Sequence, residues 1–158
     1  MTATAHALVA GALAARFAND PVTAMALALT SHFVMDSIPH WDFGTNWRSR
    51  PKKATGIYAI GETAFGIACS WFFFGAQAPM WLWTAAVLMS VLPDWLETPW
   101  YIWYANAKKH EPGPRAGAME RLSFAFYKIP NVFHAKAQLP LGLITQVVTV
   151  GFFLILLK

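Results

Sequence analysis

The sequence predicts an all-α, polytopic membrane protein: a single transmembrane domain over residues 1–158, built as a helical bundle of about five membrane helices plus one interfacial helix. Three observations carry this. First, 56% of the 158 residues are hydrophobic and only 13% are charged, too few charges to clothe a water-soluble globule of this size. Second, five spans of roughly 17–25 apolar residues with short connections use nearly the whole length. Third, the basic residues behind the net charge of +4 gather in a few connections and tails, a pattern of membrane topology rather than of nucleic-acid binding. Membrane lipid is therefore the expected partner and nucleic acid is not; composition leaves the oligomeric state open. The one cysteine, Cys69, lies in an apolar run, which excludes an intramolecular disulfide and argues against a Cys-based zinc or iron–sulfur centre. The opening residues Met1 to His6 lack the basic start of a cleavable signal.

Segment one runs from about Thr4 to Ala18 and stops at Asn19-Asp20-Pro21, where turn residues end one helix and proline can open the next. Its small residues Ala7, Gly11, Ala12 and Ala15 share a face suited to close contact with another helix. Segment two spans about Val22 to Ile38 and ends at Pro39, and segment three spans about Ala54 to Gly75 with Glu62 as its one acid. Segment four starts near Pro79 with the interfacial aromatics Trp81 and Trp83, and Pro93 is expected to kink or close it after Leu92. Residues from about Ala116 to Tyr127 alternate apolar and charged positions at helical spacing, as a helix lying in the interface would. Segment five covers about Leu139 to Leu157.

Arg48, Arg50, Lys52 and Lys53 follow segment two, and Lys108 and Lys109 lie between segments four and five. The positive-inside rule then predicts a multi-pass protein of the cytoplasmic (inner) membrane, with the N-terminus inside and the C-terminus outside. On that topology nearly all the ionisable residues at membrane depth converge on the inner leaflet. A short echo of Ser37-Ile38-Pro39-His40-Trp41-Asp42 in Ser90-Val91-Leu92-Pro93-Asp94-Trp95 suggests tandem helical hairpins over 1–45 and 54–105.

His32, Asp36 and His40 recur every fourth residue, so a helix would line them up on one face, within the limit set by Pro39. Two imidazoles and a carboxylate are a ligand set for a divalent metal, zinc first, with manganese or iron as alternatives. Asp42 adds a second carboxylate where burial is costly unless a cation or a partner compensates it. Glu62, deep in an apolar span, needs a proton, a cationic partner or a metal. Asp94 and Glu97 read equally well as ligands or as acids at the start of a following helix. His134 is either a surface histidine or a proton carrier, and His110, between Lys109 and Glu111, is solvated.

Thr4-Ala5-His6-Ala7, the His32-x-x-x-Asp36 helix and Leu92-Pro93-Asp94 with Glu97 nearby resemble motifs of the YdjM-like membrane-bound metal-dependent hydrolases. The resemblance carries over to His6, His32, Asp36, Asp94 and, more loosely, Glu97. It implies a multi-helix membrane fold with a hydrolytic metal site acting on an amphiphile such as a phospholipid. That family's His-Arg-Gly-x-Thr-His-Ser motif is absent here, and the order of the other two motifs is reversed. Together these readings predict a membrane hydrolase in which His6, His32, Asp36, His40, Glu62 and Asp94 hold metal and Glu97, Asp42 or His134 moves protons. A non-hydrolytic metal-binding or ion-translocating membrane protein is the alternative.

Overall fold

A computed structural model of the chain describes residues 1–42, 51–106 and 110–158. Arg48, Arg50, Lys108 and Lys109, four of the basic residues on which the expected topology rests, lie outside the described residues.

The described residues form an all-α structure of six helices. α1 (Ala3–Arg16) opens where the Thr2 side chain accepts from Ala5 N–H. α2 (Pro21–Asp36) opens at Asp20, whose carboxylate accepts from Thr23 N–H, with Pro21 in the first turn where no N–H is needed. α3 (Lys52–Phe74) and α4 (Met80–Pro99) each follow a proline, Pro51 and Pro79. α5 covers Ala118–Phe133 and α6 covers Leu141–Leu156. α4 does not end at Pro93, as the sequence suggests; it continues through Pro99 into a π-helical turn, Trp100–Tyr104. Asp94 and Glu97 therefore sit inside a helix and cap nothing.

α1 is the centre of the bundle and packs against α2, α3, α4 and α6. Its alanine-rich composition is the reason. Ala5, Ala7, Ala10, Gly11, Ala12 and Ala14 are all buried, and side chains this small let four neighbours approach at once. α1 and α3 touch nearly backbone to backbone: a Cβ added to Gly66 would stand 2.6 Å from Thr4 Cα, and one added to Gly11 would stand 2.3 Å from Ser70 Oγ.

α3 and α6 reverse the usual polarity of a globular core. The buried positions of α3 are Gly66 and Ser70, and those of α6 are Gly142, Gln146 and Thr149. Their exposed positions include Ile57, Ile60, Phe65, Phe72 and Phe73 on α3 and Ile144, Val147, Val148, Phe152 and Ile155 on α6. By length and composition, one helix among the described residues, Lys52–Phe74, is long and apolar enough to cross a membrane, and Leu141–Leu156 is apolar but shorter. Length accounts for part of the shortfall from five spans, since 14 residues in α1 and 16 in α2 rise only about 21–24 Å against a hydrocarbon thickness of about 30 Å; the 20-residue α4 is long enough, but Asp94, Glu97 and its prolines lower its apolar character.

The tight α1–α3 contact is testable. Gly66→Ala should cost about 1–3 kcal/mol through overpacking against the Thr4 backbone. Gly61→Ala, on the same helix with nothing within 4 Å, should leave stability unchanged or raise it slightly. Thermal unfolding of the two variants side by side checks this, and equal melting points would contradict the close contact.

Candidate metal centre

Asp36, the last residue of α2, is 1% exposed and has four imidazoles around it. His6 Nε2 lies 3.1 Å from Asp36 Oδ1 and His32 Nε2 lies 3.4 Å from Asp36 Oδ2. His40 Nε2 stands 3.7 Å from Oδ1, and His134 Nδ1 stands 3.7 Å from Oδ2. The amino group of Met1, also buried, is ion-paired with Asp36 Oδ1. Asp94 Oδ1 is 3.7 Å from His32 Nε2, and Asp42 Oδ2 is 2.8 Å from His134 Nε2 and 3.6 Å from His40 Nε2.

Each element delivers its residue for a local reason. His6 is carried by the first two turns of α1, at the centre of the bundle. Ser90 of α4 fixes two groups at once: its hydroxyl donates to the His6 carbonyl at 3.1 Å, and its own carbonyl accepts from His32 Nδ1–H at 2.7 Å. His6 and His32 stack with centroids 4.1 Å apart. His40 does not share the α2 helical face that its spacing suggests, because α2 stops at Asp36. It reaches the site through an extended pairing of 36–40 with 135–137, in which Ala135 N–H donates to the Asp36 carbonyl, His40 N–H to the Ala135 carbonyl and Ala137 N–H to the His40 carbonyl. The same pairing carries His134 into the site. Gly142 closes this corner, since a Cβ there would meet Trp41 N at 2.5 Å.

Proton counting defines the chemistry. A carbonyl only accepts, so His32 Nδ1 must carry the proton that it gives to Ser90, and His40 Nδ1 the one that it gives to Ile38 at 2.8 Å. In the neutral rings both Nε2 atoms then present lone pairs toward Asp36. His32 Nε2 and Asp36 Oδ2 are buried and have no hydrogen-bond partner, as is His6 Nδ1. Lone pair facing carboxylate in a dry interior is repulsive unless a cation lies between them, and imidazoles held at Nδ1 by backbone carbonyls are the usual arrangement of metal-ligating histidines. The described residues contain two groups of three donors with ligand atoms within 4.8 Å of one another, His6–His32–Asp36 and Asp36–His40–His134. The donor set thus fits a divalent metal.

Outside the apolar helices, burial pushes the His134 imidazole down to about 4, although the hydrogen bond to Asp42 opposes this. Burial likewise opposes charge on Asp42, but contacts with His134, His40 and Lys136 outweigh it and hold the carboxyl below its ordinary range. At neutral pH this corner therefore offers a bare imidazole nitrogen and a carboxylate, both in ligating form.

Two acids expected at the site have other partners. Glu62 Oε2 accepts from Ala3 N–H at 2.9 Å and Oε1 from Thr4 N–H at 2.7 Å, so this carboxylate caps the N-terminus of α1. It belongs to neither three-donor group. Glu97 is buried and accepts from Tyr101 Oη at 2.7 Å and Asn131 Nδ2 at 3.1 Å, tying α4 to α5. Both acids, with Asp42, Asp94 and His134, line a cavity of about 240 Å³ that lies between α3 and the end of α4. His110 is exposed, as its sequence neighbours suggest. The residues that the sequence did not single out are Ser90, Tyr101 and Asn131, which position ligands and acids but carry no charge pattern of their own.

The fold and site define an all-α protein with a buried His/Asp constellation able to hold a metal ion. No protein-family model, curated protein or solved structure matches the chain.

The two readings of Glu62 separate in one variant. Glu62→Gln leaves a single acceptor for two N–H donors and sets an amide NH₂ against one of them, so as a cap it should destabilise by about 1–3 kcal/mol. Bound metal should stay unchanged. A fall in metal content at unaltered melting temperature would instead return Glu62 to the ligand set.

Proposed function

We propose that the chain is a membrane-embedded, metal-dependent hydrolase of amphiphilic substrates. The observation that carries this is the set of lone pairs converging on Asp36 behind Asp94 and His134, two residues that line a largely apolar cavity and contact His32 and Asp36. His6, His32 and Asp36 would hold a divalent metal, with His40 and Asp94 adjacent, and the mixture of imidazole and carboxylate favours zinc ahead of manganese or iron. Such an ion lowers the pKa of a bound water from about 15.7 to about 7, which supplies hydroxide at neutral pH. Asp42 and His134, in contact at 2.8 Å, form a carboxylate–imidazole pair placed to take and return a proton at the cavity edge. Glu97, held by Tyr101 and Asn131, is the second proton carrier on that wall. The cavity is bounded by Ile60 and Ile102 on its apolar side and by Lys52 and Lys136 on its polar margin. Those surroundings suit a substrate with an anionic head and a hydrocarbon tail, as a phospholipid has.

The polarity of the helices supports membrane embedding. Large apolar side chains project outward from α3 and α6 while glycine, serine, threonine and glutamine face inward, which is favourable when the surrounding solvent is hydrocarbon. α5 shows an outward stripe of Met119, Leu122, Phe126, Ile129 and Phe133 with Arg121 and Lys128 flanking it, the pattern of a helix lying in the interface. In this reading α1 to α4 and α6 cross the inner membrane, α1 being short because protein rather than lipid surrounds it, and the N-terminus is cytoplasmic.

Protein purified without chelators should contain divalent metal in stoichiometric amount and release the head group or acyl chain of a phospholipid panel. His32→Ala should lower both metal content and turnover, by roughly 100-fold or more, since even outer partners of ligands are worth 10–100-fold. Metal-free protein with undiminished hydrolysis, or stoichiometric metal with no hydrolysis of any panel member, would count against the hydrolase.

Topology is tested separately by single cysteines at Gln77 and Asn106 in a Cys69→Ala background. The first should react only from outside the cell and the second only from within; reversed labelling would invert the orientation.

A further inference from the structure

We propose that the constellation is two cation sites joined by one carboxylate: Asp36, with His6 and His32 on one side and His40 and His134 on the other. The inference goes beyond the hydrolase reading, which needs only one ion; with the second ion bound, His134 and Asp42 are ligands and Glu97 remains as the proton carrier.

Four imidazoles face Asp36, yet they fall into two triads that share Asp36 alone, and each triad's donors lie within 4.8 Å of one another. Each triad also has its own further carboxylate. Asp94 Oδ1 is 3.7 Å from His32 Nε2 on the first side, and Asp42 Oδ2 is 2.8 Å from His134 and 3.6 Å from His40 on the second. Every site thus offers two imidazoles, one private carboxylate and the shared one, a set that suits zinc or manganese. Both Asp36 oxygens face both sides: Oδ1 contacts His6 and His40, as well as the Met1 amino group, while Oδ2 contacts His32 and His134.

The second site stands on its own proton count. The His40 Nδ1 proton is given to the Ile38 carbonyl, so in the neutral ring its Nε2 is a lone pair, and that lone pair lies 2.9 Å from His134 Nε2. If neutral His134 carries its proton on Nε2, that one hydrogen must serve both His40 and Asp42, and Nδ1 is left as a lone pair facing Asp36 Oδ2 at 3.7 Å. If the proton is on Nδ1, then Nε2 faces a lone pair on His40 and a carboxylate oxygen on Asp42 together. Either placement leaves acceptor against acceptor at the edge of the cavity, with Lys136 Nζ 3.9 Å from Asp42 Oδ2. The first site has the same deficit independently, in the partnerless buried atoms His32 Nε2 and Asp36 Oδ2. The Met1 amino group reaches Asp36 Oδ1 and Lys136 Nζ reaches Asp42 Oδ2, but on each side of Asp36 ring nitrogens still face carboxylate oxygens, and these two groups of donors call for two cations.

The test uses the full chain in detergent, stripped by chelator and reloaded with Mn²⁺ alone, with metal counted by mass spectrometry and coupling read by electron paramagnetic resonance. Wild-type protein should bind two Mn²⁺ per chain and give the multiline spectrum of an exchange-coupled pair. His40→Gln and His134→Gln should each halve the metal count and give the six-line spectrum of an isolated ion, with circular dichroism unchanged. One Mn²⁺ per wild-type chain, or two without coupling, overturns the proposal, and so does a count unaltered in both variants. Wild-type stoichiometry decides the matter even if a variant fails to fold. Hydrolysis by protein that saturates at one ion per chain would overturn this inference and spare the hydrolase; a coupled pair without hydrolysis would do the reverse.

Discussion

A carboxylate placed in a dry interior must be compensated, and Asp36 is the point at which this fold meets that requirement. Left uncompensated, such a charge costs several kcal/mol, comparable with the whole stability of a small protein. α1 brings His6 and the Met1 amino group to it, α2 brings His32, and the extended pairing of 36–40 with 135–137 brings His40 and His134. α4 contributes no ligand to either triad but holds two of them through Ser90. The helices thus pack around an electrostatic need as well as around apolar surface.

α1 can occupy the centre because of its side chains. A helix of leucines at the same place would hold its neighbours about 8–10 Å away axis to axis, and contacts as short as Gly66 to Thr4 would be impossible. That short approach lets Glu62 of α3 reach the free N–H groups of Ala3 and Thr4, within one turn of His6. Small residues, a capping acid and a ligand at the start of one helix are therefore parts of one arrangement: the first permits the contact, the second fixes its register, and the third is placed by both.

Much of this is legible in the sequence, and the exceptions have physical reasons. Periodicity and proline–glycine punctuation locate all six helices, and the 32/36 spacing on one helical face places two donors correctly. His40 comes to the site by a different route, since spacing cannot reveal that α2 stops at Asp36 and that a segment far along the chain pairs with residues 36–40. The depth of Glu62 in an apolar run suggests a ligand, but its partners are backbone N–H groups on another helix, which no side-chain pattern records. Pro93 has the look of a terminator, whereas α4 runs on through it, and this places Asp94 and Glu97 on a helix facing the cavity. Ser90, Tyr101 and Asn131 leave no signal because their roles are defined only by what they touch. Span number is what composition leaves open: it counts residues that avoid water, and it does not distinguish a helix long enough for a bilayer from a shorter one enclosed by other helices.

The cavity shows how the two levels meet. α3 packs on α1 through Gly66 and Ser70, while its contact with α4 lies toward its C-terminal end, where Ser70 Oγ accepts from Trp83 Nε1 and Trp71 meets Trp83 edge to face. What remains between α3 and α4 is open space, bridged near its edge by Lys52 donating to the Ile102 carbonyl at 2.9 Å. Continuation of α4 through Pro93 puts Asp94 and Glu97 on that opening. Had α4 ended there, both acids would stand in a loop with solvent to neutralise them, and nothing would require histidines nearby. Because the helix persists, its acids are held at the margin between the apolar wall of Ile60 and Ile102 and the imidazoles of His32 and His134. The same sparse contact between α3 and α4 is what leaves Asp42, Asp94, Glu97 and His134 lining an open cavity rather than packed against a helix.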